Sequence, residues 1–403
     1  MNVLYLSYTG LAEPLGRSQI LAYLRGLSGQ HCITLVTFEK PADLGDAMAM
    51  EALEAACAEH GIKWVARRYH HWPRLPATAL DLAVLGWTAL RQAKACKSDL
   101  VHARGYIPAF VALLLKRGLG CAFIFDMRAF WPEEMATAGR LKRGSLMFRL
   151  LGWGERLCLH RADGVVSLTH AAVKHLKREH GGDLAHARFA VIPTCVDLNR
   201  FRYAPAKGAN VPPAIGSIGS VLSGWFRLDW LMAYFRACAD IWPDASFQVV
   251  TRDAPAKVAT AAARAGIGPD HLRIEARTPL EMPHALARLD AVAMFFAPGL
   301  SEIARCPTRM GEALASGLPV IANEGVGDVA EIIRQHRIGV VVEDARAASM
   351  RRAALELSRL LDDPELPARC RKAAEASFSL AAGVKAYHAL YSEIASARAA
   401  GKD

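Results

Sequence analysis

The sequence predicts an α/β protein with two domains, each a doubly wound parallel sheet with helices on both faces. Strand-like apolar runs alternate with helix-like stretches along the chain, which is typical of such sheets. The 403 residues exceed what one hydrophobic core usually serves, and 52% hydrophobic with 22% charged residues is enough for two cores. We therefore expect two Rossmann-like domains with the ligand site in the cleft between them.

The strand-like runs fall into two series. The first series lies at residues 2–7, 32–39, 62–67, 100–104, 122–127, 164–169 and 189–193, and the second at residues 214–220, 246–251, 272–276, 291–297, 319–323 and 339–343. Between them, residues 203–213 read "YAPAKGANVPP", which has the composition of a linker. This predicts an N-terminal domain at residues 1–203 and a C-terminal domain at residues 204–380.

Composition excludes several classes of protein. The longest apolar runs are shorter than the about 20 residues that a membrane-spanning helix needs. The N-terminus has no basic leader or cleavage site, so we expect a cytoplasmic protein. Nine scattered cysteines without a CxxC pattern favour reduced thiols, and we expect no metal site. The net charge of +10 favours a polyanionic partner, but no nucleic-acid-binding module is recognisable.

The run 307–321, "PTRMGEALASGLPVI", predicts a short helix capped by Thr308 and closed by Gly317. Arg309 in its first turn is unfavourable beside the helix dipole unless an anion binds there. The run therefore indicates a diphosphate site, in which Glu312 accepts hydrogen bonds from ribose hydroxyls. The alternative is an ion pair between Arg309 and Glu312, with Gly311 serving only close packing.

Two further glycine loops precede predicted helices. Gly325 and Gly327 lead into a helix that Asp328 is expected to cap, although an ordinary turn between a helix and a strand explains this pattern equally well. Gly16 lies in the loop after the first strand, where phosphates commonly bind in Rossmann-like domains. Neither GxGxxG nor the Walker pattern occurs, and no Asp-x-Asp pair is present to hold a metal.

The run "FIFDMRAFWPEEM" ends an apolar strand with Asp126 and Arg128, which Trp131 and Glu134 follow. At the carboxyl end of a central strand this combination can bind a sugar by hydrogen bonds and stacking. An ion pair at the surface beside a core tryptophan is the alternative. The neighbouring strand ends in two residues that can join this site, His102 and Arg104.

Residues 139–164 form a basic stretch with interleaved Leu, Met, Phe and Trp at helical spacing. Such a helix can lie on an anionic membrane, with its basic residues near lipid phosphates. An ordinary amphipathic helix packed on the sheet would show the same pattern.

Five ordered motifs resemble glycosyltransferases of family four, which are retaining enzymes of the GT-B fold that use nucleotide sugars. The motifs are "PLGRSQILAYLRGLS", "FDMRAFWPEE", "SIGS", "CPTRMGEALASGLPVI" and "GVGD". They are similar to a bacterial polysaccharide subgroup with the patterns PLGQSQ, FDMRGFW, GSLG and SPTKxGEYLAxGLPVI. The resemblance implies that the final stretch, residues 381–403, crosses back onto the N-terminal domain.

The resemblance also implies roles for individual residues. Arg309 would contact the donor diphosphate, Glu312 the ribose and the backbone near Arg277 the base. Further donor contacts are implied for Gly16, Gly219, Ser220, Thr308, Gly325, Gly327 and Asp328. Asp126 and Arg128 would orient donor and acceptor, with His102, Arg104, Trp131 and Glu134 on the acceptor side.

The chain departs from the family pattern at three places. Ala304 replaces the first of two glutamates eight positions apart, and Glu302 lies two residues away. A histidine after the central strand is missing, with Asp126 nearest to its place, and Ala129 replaces a glycine.

The sequence therefore predicts a metal-independent transferase, without a cofactor, that moves a sugar from UDP or GDP to a glycan or lipid-linked acceptor. The alternatives are an epimerase or hydrolase of the same fold, and a catalytically silent relative that binds glycan or membrane.

Overall fold

The computed structural model describes residues 1–202 and 212–400, except for the side chains of residues 74 and 75. The predicted linker and the predicted domain boundary at residues 203 and 204 lie outside the described residues or at their margin. The chain forms two compact units. The first comprises Met1–Pro132, Lys142–Ile192 and Leu380–Asp403, and the second comprises Glu133–Leu141 and Pro193–Ser379.

Each unit contains one parallel sheet, which confirms the predicted fold class. In the first unit the strands are β1 Asn2–Ser7, β2 Cys32–Glu39, β3 Lys63–Arg68, β4 Leu100–Arg104, β5 Ala122–Met127, β6 Gly164–Ser167 and β7 Arg188–Val191. In the second unit they are β8 Ala214–Ile218, β9 Ser246–Val250, β10 Leu272–Glu275, β11 Ala291–Met294, β12 Val320–Asn323 and β13 Gly339–Val342. The two sheets have the orders β3-β2-β1-β4-β5-β6-β7 and β10-β9-β8-β11-β12-β13.

Helices connect the parallel strands, as crossover connections require. In the first half of the chain they are α1 Pro14–Gly16, α2 Ala22–Leu27, α3 Pro41–Leu44, α4 Ala47–Ala58, α5 Arg74–Ala95, α6 Tyr106–Leu119, α7 Trp131–Thr137, α8 Leu146–Arg161 and α9 His170–His180. A π-helical turn, Arg17–Leu21, joins α1 to α2, and a 3₁₀ turn, Gly181–Leu184, follows α9.

The remaining helices follow β8. They are α10 Leu228–Ala239, α11 Pro255–Arg264, α12 Met282–Leu286, α13 Leu300–Ile303, α14 Thr308–Ala315, α15 Val329–His336, α16 Ala347–Leu361, α17 Leu366–Phe378 and α18 Leu380–Ala400, with a 3₁₀ turn at Pro269–His271. Helix α18 belongs to the first unit, where it packs against α2 and β7.

The central strands are apolar because helices cover both faces of a parallel sheet. All six residues of β5 are buried, as are all four residues of β11 and β12. Charged and polar residues occur at the carboxyl ends of these strands and in the loops that follow. The sheets thus place the candidate residues at their carboxyl edges.

Candidate functional site

Arg309 lies in the first turn of α14 and is half-buried, with its Nη1 atom buried. Its guanidinium stacks over the rings of Phe226 and Phe296, with the guanidinium carbon 5.2 and 5.7 Å from the two ring centroids. Nη2 donates a hydrogen bond to the backbone carbonyl of Ser220 at 3.1 Å. Among the described residues, the buried Nη1 has no hydrogen-bond partner. The structure thus holds a cation with unused hydrogen-bonding capacity at a helix N-terminus.

Electrostatics show that this cation is not neutralised by the protein. Burial lowers the pKa of Arg309 to about 10, and repulsion from Arg305 adds to the effect. The side chain therefore remains protonated near neutral pH, and a bound anion would relieve both penalties. The ion pair with Glu312, which was the alternative to a diphosphate site, does not form within the described part of the chain.

Gly219 makes room for this arginine. A Cβ atom at Gly219 would lie 2.7 Å from Nη2 of Arg309, and the backbone there has a φ of +88°. Any other residue would both clash and strain the turn. The predicted donor-binding residues Gly219 and Ser220 are therefore next to Arg309.

Asp253, which the sequence analysis missed, holds the loop after β8. Its carboxylate accepts hydrogen bonds from the backbone N–H groups of Val221 and Leu222, at 2.7 and 2.8 Å, and from the Ser220 hydroxyl. Burial alone would raise the pKa of Asp253, but these donors outweigh it and the pKa is lowered. The signal was the position of Asp253 just after β9, at the carboxyl edge of the sheet.

Helix α14 differs from the prediction at its N-cap. The helix begins at Thr308 and Pro307 occupies the N-cap, so the predicted capping by the Thr308 hydroxyl is wrong. The reason is that proline supplies the extended backbone that precedes a helix. At Gly311 a Cβ atom would lie 3.2 Å from Phe378 and Val196, so this glycine permits close packing within the second unit.

Glu312 lies one turn beyond Arg309 and is half-buried. Burial raises the pKa of its carboxyl to about 7, against weaker opposing effects of Arg200 and Arg309. A carboxyl group that changes charge near neutral pH is well suited to accept hydrogen bonds in a pH-dependent way.

The loop after β12 contains Gly325 and Gly327 and leads into α15, as predicted. Gly325 and Gly327 have positive φ angles of 80° and 43°, and the Gly327 N–H donates to the Glu302 carbonyl at 2.9 Å. Asp328 occupies the N-cap of α15, as predicted, but in the described structure its side chain makes no capping hydrogen bond, so that part of the prediction is wrong.

Glu302 and Arg305 form a buried ion pair that the sequence analysis did not identify. Glu302 has no exposed side-chain surface, and its carboxylate accepts from Arg305 and from the Ser301 hydroxyl. Arg305 also lies 3.4 Å from Glu134 and stacks over Trp225. Arg305 is thus a neutralised cation beside the un-neutralised Arg309. The structure places Glu134, predicted for the acceptor side, in the second unit with Arg305.

Arg277 lies after β10. Its guanidinium is 2.6 Å from Glu275 and 3.5 Å from Glu281. These partners leave its backbone, rather than its side chain, as the group available for the predicted contact with a base.

Asp126 lies at the carboxyl end of β5 and is completely buried in the first unit. Oδ2 accepts a hydrogen bond from the Tyr387 hydroxyl at 2.9 Å and lies 3.3 Å from Nε2 of His102. Burial alone would raise the pKa of Asp126, but Arg128, His102 and Arg104 together hold it well below its usual range. Asp126 is therefore a charged, hydrogen-bonded centre and not the surface ion pair of the alternative interpretation.

His102 joins this cluster from the neighbouring strand. Its Nδ1 lies 2.6 Å from the Tyr391 hydroxyl, and burial lowers its pKa, so the ring is neutral at neutral pH. Tyr387 and Tyr391 both come from α18, more than 250 residues away in sequence. Sequence reasoning had no signal for these two partners.

Gly16 is the last residue of the short helix α1, so its predicted place in the loop after β1 is wrong. The loop between β1 and α1 is fixed by an internal carboxylate. A Cβ atom at Gly16 would lie 2.0 Å from the carbonyl oxygen of Gly10, so only glycine fits. Glu39, at the end of β2, is fully buried and accepts the N–H groups of Leu11 and Ala12, at 2.7 and 3.0 Å. Glu39 was missed, although a buried strand that ends in glutamate was a usable signal.

Trp131 begins α7 and is half-buried. Its backbone N–H donates to the Tyr106 hydroxyl at 3.2 Å, and the two rings lie 5.4 Å apart. The ring is thereby held near the carboxyl ends of β4 and β5.

Three further findings concern the described residues. They contain no group of three or more His, Cys, Asp or Glu side chains arranged to bind a metal. A cavity of about 720 Å³ lies between α10, α11 and α16 and involves none of the candidate residues. In addition, no described helix is both long enough and apolar enough to span a membrane.

Two family models match the chain, one on each half. Residues 18–200 match "Glycosyltransferase Family 4", and residues 212–360 match "Glycosyl transferases group 1". No curated protein is a significant sequence match to the chain.

Solved structures share the fold over nearly the whole chain at low identity. HepE from Anabaena in complex with UDP and glucose has a TM-score of 0.67 at 16% identity, covering 98% of this chain and 100% of HepE. Sucrose-phosphate synthase from Thermosynechococcus elongatus has a TM-score of 0.69 at 15% identity, covering 98% and 99%. A glycosyltransferase from Rickettsia africae has a TM-score of 0.66 at 15% identity, covering 98% of each chain.

The two parallel sheets, and the solved structures that share them over nearly the whole chain, define a protein of the GT-B fold. The family models on both halves identify the chain as a glycosyltransferase.

Proposed function

We propose that this glycosyltransferase moves a sugar from a UDP- or GDP-sugar to a glycan or lipid-linked acceptor, with retention of anomeric configuration, in cell-surface polysaccharide biosynthesis. The observation that carries this proposal is the guanidinium of Arg309 at the N-terminus of α14, which no described carboxylate pairs with and whose buried Nη1 has no hydrogen-bond partner in the described structure. HepE, which shares the fold, has been solved with UDP and with UDP-glucose.

Negative charge develops on the departing diphosphate during transfer. Arg309 and the N–H groups of the first turn of α14 would stabilise that charge, and Gly219 lets the diphosphate approach the arginine. We propose that these groups replace a metal ion, so that transfer proceeds in the presence of a chelator. Glu312 would accept hydrogen bonds from the ribose, while Thr308 and the loop of Gly325, Gly327 and Asp328 would face the donor.

Calorimetric titration with UDP, GDP and UDP-glucose tests the donor site. We expect saturable binding of one nucleotide, with affinity reduced at least tenfold in Arg309→Gln and unchanged in Arg359→Gln, an exposed control on α16. Absence of binding to either nucleotide, or equal affinity in the two variants, would contradict the proposal.

Release of the nucleoside diphosphate distinguishes the enzyme classes. A transferase requires an added acceptor for this release, a hydrolase does not, and a catalytically silent relative releases none. Chelator-resistant release that depends on an acceptor is the expected result.

We further propose that the first unit binds an anionic membrane surface through three adjacent helices, α5, α6 and α8. Helix α6 contacts both of the others. Large apolar side chains on their outer faces are well exposed: Trp87 70%, Leu114 68%, Leu146 84%, Leu150 53% and Trp153 61%.

The charges of these helices favour an anionic surface. Exposed cations include Arg91, Arg117, Arg149 and Arg156. The three helices contain two carboxylates, Asp81 and Glu155. Asp81 is buried and accepts a hydrogen bond from the Tyr8 hydroxyl, and Glu155 accepts one from the Tyr106 hydroxyl. Helix α8 also buries Cys158 and Leu159, so packing within the unit uses only one of its faces. A face of exposed apolar and basic groups suits a bilayer with anionic lipid.

Sedimentation with vesicles tests this membrane surface. We expect binding to vesicles of phosphatidylcholine with phosphatidylglycerol, weaker binding to phosphatidylcholine alone, and loss of binding in Leu150→Gln/Trp153→Gln. The control Leu355→Gln changes an exposed leucine of α16 in the second unit. If the double variant sediments like the control, this surface is not the membrane contact.

A further inference from the structure

The buried cluster around Asp126 contains more positive than negative charge. Arg104 and Arg128 each contribute one cation, Asp126 contributes one anion, and His102 is neutral. The net charge of the cluster is therefore +1, from two positive charges and one negative. Both arginine side chains are mostly buried, with 11% and 16% of their surface exposed.

The distances show that Asp126 does not form a close ion pair with either arginine. Nη1 of Arg104 lies 3.7 Å from Oδ2, and Nη1 of Arg128 lies 3.5 Å from Oδ1. A close guanidinium–carboxylate pair has distances of about 2.7–2.9 Å. The shortest contact of Asp126 is instead with Tyr387, and in the described structure Nη1 of Arg104 lacks a hydrogen-bond partner.

The helix that follows adds positive potential at the same place. Helix α6 has 14 residues and begins at Tyr106, two residues after Arg104, with Gly105 at its N-cap and therefore no capping side chain. Its first turn contains no acidic residue. Strands β4 and β5 pair Arg104 with Asp126, so the helix N-terminus and both guanidinium groups lie at one edge of the sheet.

We propose that Arg104 and Arg128, with the N-terminus of α6, form a second anion subsite that binds an oxyanion of the acceptor, a phosphate or a carboxylate. This inference rests on the proposed function and narrows its acceptor to an anionic molecule. The half-buried ring of Trp131 follows Arg128 by three residues and offers a stacking surface for the sugar next to that anion.

The test measures anion binding directly, without catalysis. The full-length protein with Arg309→Gln serves as background, since that change removes the cation of the donor site. Calorimetry with inorganic phosphate, methyl glucuronide and methyl glucoside as probes compares this background with the same protein carrying Arg104→Gln. Arg25→Gln, an exposed change on α2 in the first unit, is the matched control.

We expect saturable binding of at least one anionic probe, weaker binding of the neutral glucoside, and an affinity at least tenfold lower with Arg104→Gln but not with Arg25→Gln. Preference for phosphate would indicate a lipid phosphate or sugar phosphate, and preference for glucuronide a uronic acid. Equal affinity with and without Arg104→Gln, or no preference for anions over glucoside, would overturn the inference.

Circular dichroism establishes that each variant is folded, and Asp126 retains Arg128, His102 and Tyr387 in the Arg104→Gln protein. Titration with UDP separates the two proposals. If wild-type protein binds UDP but the background protein shows no Arg104-dependent anion binding, only the anionic acceptor is wrong. If wild-type protein binds neither UDP nor GDP, the donor proposal fails independently.

Discussion

Buried guanidinium groups lie near the carboxyl edges of both sheets, but they are neutralised differently. In the second unit, Arg305 is paired with Glu302, whereas Arg309 has no carboxylate within hydrogen-bonding distance among the described residues. In the first unit, Arg104 and Arg128 share Asp126, which Tyr387 and His102 also contact. Asp126 is therefore a buried anion shared by two arginines, whereas no described carboxylate pairs with Arg309.

The largest effect is expected where the buried carboxylate is removed. Asp126→Asn would leave two arginines without their anion, and breaking a buried charge pair typically costs about 3–5 kcal/mol. Urea denaturation should show this loss in the free energy of unfolding. Tyr387→Phe removes only one hydrogen bond and should cost about 1 kcal/mol. An Asp126→Asn protein as stable as wild type would refute the structural role of this residue.

Arg309→Gln should lower the catalytic rate strongly but change the stability of the protein only slightly. Loss of a group that stabilises the leaving diphosphate should lower kcat about 10²- to 10³-fold. The free energy of unfolding should change by less than about 1 kcal/mol, since the lost stacking on Phe226 and Phe296 is offset by removal of a buried charge. Steady-state kinetics and urea denaturation of the same protein provide both values. If Arg309→Gln lost as much stability as Asp126→Asn, Arg309 would have a structural role like that of Asp126, which would contradict the prediction.

Glu39 is another buried carboxylate, but it accepts hydrogen bonds from backbone N–H groups and does not pair with an arginine. Glu39→Gln leaves one of the N–H groups of Leu11 and Ala12 without an acceptor, which should cost about 1–3 kcal/mol of stability. The loop between β1 and α1 should then become more mobile, and KM for the donor should rise more than kcat falls. Glu13→Gln, which removes only the ion pair with Lys40, should change stability by less than about 1 kcal/mol. Similar effects of the two changes would count against a positioning role.

Glu312 should give the smallest effect, visible as a pH dependence. Because its pKa is raised to about 7, it loses its charge as pH falls below 7, and a neutral acceptor binds ribose hydroxyls less strongly. The affinity for UDP-glucose should fall about fivefold between pH 8 and pH 6, and Glu312→Gln should abolish this change. Calorimetry at both pH values measures it.

The same group predicts a trend in stability. The raised pKa in the folded state means that the folded protein binds more protons than the unfolded chain between pH 4.5 and 7. The contribution of Glu312 to stability therefore falls as pH rises through that range. Denaturation curves of wild type and Glu312→Gln should converge below pH 4.5, where both side chains are neutral.

The sequence predicted all thirteen described strands, because buried parallel strands are short apolar runs bounded by turn residues. The sequence also predicted helix α14, which contains Arg309, and the loop of Gly325 and Gly327 that precedes α15. Both are set by residues close together in the sequence. The sequence analysis missed Asp253, Tyr387 and Tyr391, which act through contacts between distant parts of the chain. The connection of Glu133–Leu141 with the second unit was missed for the same reason.

The path of the chain limits how the molecule can be divided. Each unit is assembled from separated segments, and the last 24 residues, Leu380–Asp403, belong to the first. A fragment that ends before Leu380 would lose the hydroxyl groups that contact Asp126 and His102, so a gene cut between the halves would not yield an intact N-terminal module. An exchange of the first unit between related chains must therefore include the C-terminal helix together with the N-terminal segments.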